Sequence, residues 1–463
     1  MGSTRPDGVR HGRRLSRRGR RATDKGVIVR KTNSRTLTLV AGVTGIALLA
    51  AACGSSTPSS TATKTANSTE KMTLTVATFN EFGYENLLAE YTKLHPNITV
   101  VQKKAATSNE ARDNMKTRLA AGSGLSDVEA IEVDWLPELM KYPAKFVDLK
   151  DKSVDGRWLD WKVAQATTKD GVLLGYGTDI GPEGVCYRSD LFKAAGLPTD
   201  RAEVATLLGG ANATWNGYFA AGKKFKASGA KAPWMDSAGA TYQGMINQVK
   251  NAYEKDDGTV IALDNPDVRK IYDTVLGAST TDGLSAHLSQ WSEDWTASFQ
   301  KDGFATMLCP GWMLGVIEGN AKGVKGWDIA DVFPGGGGNW GGSFLTVPAQ
   351  GKHPAEAKAL ANWLTAPEQQ IKAFVAKGTF PSQQQALTSN DLLSVSNAFF
   401  NAAPTGQILA NRAKAVTVAP FKGKSYFAIN DEMQQALNRV DVAKTDTAAS
   451  SWAKFTTAVK NLG

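Results

Sequence analysis

The chain has 463 residues, 42% of them hydrophobic, which is enough to bury a large core in two or three domains. The formal charge of +9 points at first to a polyanion or membrane partner. Twelve Lys/Arg and only two acids sit within residues 1–35, however, so the remainder is nearly neutral and has no global field for nucleic acid.

Residues 36–52, TLTLVAGVTGIALLAAA, are uncharged, follow that basic flank and end in small residues before Cys53. This is the pattern of a secretory signal, whereas a retained transmembrane helix would need a longer and more apolar run. The stretch Leu49-Ala-Ala-Ala-Cys53-Gly54 resembles the bacterial lipobox, with Ala50 where the commonest pattern has Leu. The resemblance implies lipidation of Cys53 and a membrane anchor. The basic leader is long. Either translation starts later, at Val27 or Val29, or Arg17-Arg18 serves twin-arginine export. Residues 53–71 are Ser/Thr-rich with few apolar groups and read as a tether.

The folded body is expected from Met72. MTLTVATF alternates as a strand does, and ENLLAEYTKL carries Leu87, Leu88, Tyr91 and Leu94 at helical spacing. ITVVQKKA is a second strand, SNEARDNMKTRLAAGSG a capped helix with a glycine stop, and DVEAIEVDW a third strand. Strands alternating with helices predict an α/β domain with a largely parallel sheet. VLLGYGTDIGPEGVCYRSDLF then reads as a crossing into a second α/β region, and FPGGGGNWGGSFLTVPAQ as the return. The boundaries that follow are 72–180 and 339–400 for a first lobe, 181–338 for a second, and 401–463 for C-terminal helices. No repeat of solenoid or propeller period is present.

Several stretches together resemble the family 1 extracellular solute-binding proteins: LTVATFNEFGYENLLAEYTKLHPNITV, TDIGPEGVCYRSDLFKAAGL, FATMLCPGWML and GTFPSQQQAL. VCYRSDLF, MLCPGWM and GGNWGGSF are similar to actinobacterial cello-oligosaccharide-binding lipoproteins. The resemblance implies a two-lobe periplasmic-binding-protein-like α/β fold with the ligand in the cleft between the lobes. It further implies a monomer that delivers an oligosaccharide to the membrane subunits of an ABC importer, without enzymatic activity or cofactor. A two-lobe clamp can close by hinge motion and present a distinct shape to a transporter.

All twelve Trp lie after Cys53, and oligosaccharides favour flat aromatic platforms with polar groups at the rim. Trp312 ends an apolar strand after Pro310-Gly311, and the resemblance implies that it stacks on sugar. Trp340 lies in the Gly-rich loop, where core packing gives it no evident role. Trp234 and Tyr242 are further candidates, and the alternative for both is the core. Trp291 and Trp295 are four apart and read as core residues on one helical face. Asn80 and Glu81 end the first strand and Asp134 the third, at the carboxyl ends that face the crevice of such sheets. Asp179 and Glu183 flank the crossing, and Ser343 could donate from the Gly-rich loop. Each carboxylate could accept from two sugar hydroxyls, although a solvated loop acid remains the alternative. The pairs Glu132/Asp134 and Asp179/Glu183 would also suit a glycoside hydrolase.

GGGGNWGG lacks the Lys-Ser/Thr of a phosphate-binding loop, and the histidines lack metal-ligand spacing, so no metal is expected. Cys186 and Cys309 are the only cysteines besides Cys53, in a compartment that permits oxidation, and a disulfide is expected between them; two buried thiols are the alternative.

Overall fold

The first strand shows why the chain folds as it does. In Met72–Phe79 (β1), Leu74, Val76 and Thr78 point inward while Thr73, Thr75 and Ala77 are less covered, so one face of the strand is sealed against a core. This structure is a computed structural model, and it describes residues 70–462. The expected signal, the expected lipidation site Cys53 and nearly all of the expected tether lie outside the described residues.

Ile98–Ala105 (β2) and Val128–Glu132 (β3) flank β1 in parallel. The connecting helices are Glu85–Leu94, which buries Leu87, Leu88 and Tyr91, and Ser108–Ala121. The latter starts at Thr107, whose hydroxyl accepts from the Glu110 amide, and stops at Gly122 in the left-handed conformation. Gly175–Gly177 (β4) leads to the first crossing and Glu183–Arg188 (β5) leaves it. Thr306–Pro310 (β6) and Trp327–Ala330 (β7) pair with β5 on either side, both antiparallel. Ser343–Thr346 (β8) returns to the first sheet and lies antiparallel between β3 and β4. The two sheets therefore have the orders β2-β1-β3-β8-β4 and β6-β5-β7. The second sheet is smaller than an α/β lobe of parallel strands and is wrapped mainly by helices.

The two crossings run side by side. Pro182 bridges Asn339, the Trp340 amide donates to the Gly181 carbonyl at 2.8 Å, and the Gly181 amide donates to Asn339 Oδ1 at 2.9 Å. Glycine is required at 181, because a Cβ there would stand 1.7 Å from the Trp340 carbonyl oxygen.

Three hydrophobic clusters hold the fold. One lies under the first sheet. Another joins the inner face of β5 to the helices Trp215–Ala227, Ala238–Ile246 and Pro266–Leu276. The C-terminal helices Tyr426–Asp441 and Ala448–Asn461 enter this cluster through Ile429, Met433, Leu437 and Phe455. The third covers the other face of β5 and β6. Phe380, Leu392 and Phe400, expected with the first lobe, pack in the third cluster against the second sheet. Cys186 and Cys309 also lie there, bridged across β5 and β6 with their Cα atoms 5.5 Å apart.

Candidate ligand-binding cleft

A cleft of about 450 Å³ opens where the strand ends of the first sheet, both crossings and the helix Tyr426–Asp441 converge. That volume suits a small ligand rather than a macromolecule. Among the sequence candidates, Asn80, Glu81, Asp134, Asp179, Trp312, Trp340 and Ser343 all line it.

Asn80 leaves β1 with φ 46°, a left-handed turn that Asn tolerates, and its Oδ1 is buried without a hydrogen-bond partner. Glu81 follows. Burial pushes its carboxyl up, but hydrogen bonds from Lys104 and Lys377 outweigh this and hold it below the usual value. At the end of β3 the Asp134 amide donates to Glu132 Oε2 at 2.9 Å. The Asp134 carboxylate itself is paired with Lys422, so it is already engaged from the protein side. Burial, reinforced by the charge of Asp134, pushes Glu132 up to about 8. Glu132 therefore holds its proton more tightly than an exposed carboxyl does, while its Oε2 accepts from the Asp134 amide.

Asp179 accepts from Thr178 Oγ1 at 2.7 Å and from the Ser343 amide at 2.9 Å, which ties the first crossing to β8. Burial raises its pKa. Beneath it lies Lys162, on the helix Asp160–Ala166, with its ammonium 3.8 Å from the Phe344 ring centroid and without a hydrogen-bond partner. Burial pushes Lys162 down to about 7 against the pull of Asp179 and Glu132. Sequence reasoning did not find it, because a Lys on a short helix is usually solvated.

Trp312 caps the helix Met313–Asn320 directly after β6. Its Nε1 donates to the Trp340 carbonyl at 2.9 Å, and the two rings meet edge to face at 5.7 Å. The helices Ala238–Ile246 and Tyr426–Asp441 add planar amides: Asn430 Nδ2 donates to Gln243 Oε1 at 3.1 Å, and Gln434 stands beside them. The sequence did not single out these amides, because they lie on helices whose other faces fill the core and a polar residue on such a helix is ordinarily solvated.

Three candidates are misplaced. Trp234 is fully buried, 5.5 Å from the Phe192 ring and hard against Gly222. Its position after Pro233 looked loop-like, but its amide and carbonyl bond Leu284 and Thr306 and carry the ring inward. Tyr242 is equally buried and shares a hydrogen bond of 3.0 Å with the Tyr253 hydroxyl, since its face of the helix turns to the core. Glu183 is fully buried within β5, and neither carboxylate oxygen has a hydrogen-bond partner. Burial raises its pKa well above the usual value, and the side chain does not line the cleft because β5 is buried on both faces. Trp291 and Trp295 also part company. Ser292 caps the helix Glu293–Ser298, so only Trp295 is helical and core, while Trp291 lines the cleft. The Ser292-Glu293-Asp294 start was the available signal.

Among the described residues, no group of three or more His, Cys, Asp or Glu is placed to hold a metal, and no helix is long and apolar enough to cross a membrane.

The chain was compared with known proteins. Residues 86–405 match the family described as bacterial extracellular solute-binding protein. A crystal structure of a family 1 extracellular solute-binding protein is 50% identical, with a TM-score of 0.74, over 84% of this chain and 99% of that one. The arabinooligosaccharide-binding protein of Bacillus subtilis is 25% identical, over 64% of this chain and 70% of the relative. The fold also matches a binding protein of B. animalis subsp. lactis in complex with beta-1,6-galactobiose. That match has 18% identity and a TM-score of 0.73, over 84% of this chain and 97% of that one. The chain belongs to the bacterial extracellular solute-binding proteins, a family of carriers and not of enzymes.

Proposed function

We propose that this protein is the lipid-anchored receptor of a bacterial ABC importer and that its cargo is an oligosaccharide, with cello-oligosaccharides the first choice. The observation that carries this reading is the perpendicular pair Trp312 and Trp340 in a cleft rimmed by Gln243, Asn430 and Gln434. An aromatic face covers the C–H side of a pyranose while planar amides exchange donor and acceptor with paired hydroxyls. The named ligands of two relatives, an arabinooligosaccharide and a galactobiose, are of the same chemical class. The choice of cello-oligosaccharides rests on the segments VCYRSDLF, MLCPGWM and GGNWGGSF.

Titration calorimetry against cello-, xylo-, chito-, malto- and arabino-oligosaccharides tests the reading. Micromolar or tighter binding to one series is expected, and binding to none would overturn it. Cellotetraose left with the protein should remain intact, since shortening would require a hydrolase. The anchor is tested by detergent partitioning of cells expressing wild type and Cys53→Ser; release of only the variant into the medium is expected.

A further inference from the structure

We infer that Trp291 is the outermost of three aromatic platforms in the cleft and selects ligands of three or more sugar units; this deepens, and rests on, the oligosaccharide reading above. Its ring stacks on Trp312 with centroids 6.1 Å apart and planes 24° from parallel. Trp312 in turn meets Trp340 at 5.7 Å. The row begins at the crossing, where the Trp340 amide holds Gly181, and ends at Trp291, which is 40% exposed. Each step is of the order of one sugar ring, and the uncovered surface of Trp291 carries the aromatic lining of the cleft beyond Trp340 and Trp312.

Trp295, four residues later, fills the core, whereas Trp291 packs on it with ring centroids 5.3 Å apart and still keeps 40% of its surface open at the cleft. Its φ of 72° is a backbone state that a bulky side chain rarely adopts, so the surroundings impose it. Those surroundings are two buried carboxylates. Asp236 accepts from Gln290 Nε2 at 2.8 Å and from Trp295 Nε1 at 3.1 Å, one on each side of Trp291. Asp441 accepts from Ser285 Oγ at 3.1 Å and pairs with His287 Nδ1 at 2.7 Å, at the start of the same loop. A loop fastened on both sides presents a strained, exposed aromatic ring, and Asp236 is its positioning residue. A disaccharide over Trp340 and Trp312 does not reach Trp291, whereas a third unit does.

The test is calorimetry of wild type, Trp291→Ala and Trp291→Phe with di-, tri- and tetrasaccharides of the cello and arabino series, with melting temperature recorded on the same preparations. Trp291→Ala is expected to weaken tri- and tetrasaccharide binding roughly 10-fold or more, and disaccharide binding by less than about 3-fold. Trp291→Phe should restore most of the difference, and all three proteins should melt alike. If wild type binds but the Ala variant loses affinity equally at every length, or at none, the assignment of Trp291 falls while the oligosaccharide reading stands. If wild type binds neither series at any length, both fall.

Discussion

Lys422 and Asp134 form an ion pair that joins the two halves of the molecule beside the cleft. Asp134 lies two residues beyond the end of β3 in the first sheet. Lys422 is held on the other side, where the Phe421 amide donates to the Lys250 carbonyl and the Ser425 amide to Glu254. Both side chains are largely covered, and the Lys422 ammonium also lies 4.8 Å from the Tyr426 ring centroid. Burial alone would lower the pKa of Lys422, but Asp134, Tyr426 and Glu132 outweigh it and keep the ammonium charged.

Removing one partner leaves the other charge buried. Lys422→Met should therefore cost about 3 kcal/mol of stability, and Asp134→Asn added to it should recover most of that loss. Urea unfolding of the two single variants and the double variant measures it. A double variant no more stable than Lys422→Met would show that the pair is not the cause.

Glu132 gives stability a pH dependence whose sign can be worked out. Its pKa is raised from 4.5 to about 8 on folding, by burial first and by Asp134 second. Between those values the folded state binds more protons than the unfolded state, so this contribution is present at low pH and is lost as pH rises towards 8. Lys162, pushed down to about 7, contributes the opposite slope above that value. Wild type should lose denaturant midpoint between pH 5 and 8, and Glu132→Gln should flatten that fall. Equal slopes for both proteins would contradict the protonated carboxyl.

Trp312→Ala should abolish most sugar binding, with a loss of roughly 2–4 kcal/mol, or 30-fold and more in affinity. Its ring is only partly buried, and the fold gives up the bond from Nε1 to the Trp340 carbonyl together with the ring contacts to Trp340 and Trp291. Melting temperature and calorimetric affinity belong on the same sample. A variant that melts far lower yet binds within a factor of two of wild type would make Trp312 a brace of the fold.

Gly181→Ala should force the crossings apart, because the new Cβ meets the Trp340 carbonyl oxygen at 1.7 Å. A destabilisation of roughly 1–3 kcal/mol or more is expected. Gly319→Ala is the control: it lies inside the helix Met313–Asn320, and a Cβ there meets nothing within 4 Å. The control should be neutral or slightly stabilising, since Ala favours a helix interior. Thermal melts of both variants decide it, and equal melting temperatures would refute the close approach.

Much of the fold was legible from local pattern. β1, β2, β3 and the two helices between them follow from alternation and helical spacing, because local pattern sets each element whatever its partner is. That Trp312, Trp340, Asn80 and Asp179 line a cleft was legible because strand ends and Gly-rich crossings are where a two-lobe fold must open. The expected bridge between Cys186 and Cys309 needed only a count of cysteines and the compartment.

Side-chain direction and long-range partners were a different matter. Trp234, Tyr242 and Glu183 sit in segments that look like site segments, yet all three are buried: Tyr242 by its face of a helix, Glu183 within a covered strand, and Trp234 by backbone bonds to Leu284 and Thr306. Trp291 was paired with Trp295 until the cap at Ser292 separated them. The pairing of Asp134 with Lys422 spans 288 residues, and that of Asp236 with Trp295 spans 59. Periodicity is a property of neighbouring residues, so the chain by itself determined its elements, their order and the places where a cleft must open. Which charges meet across that cleft, and which ring faces it, depends on contacts between residues far apart in the chain, and only the tertiary structure decided those.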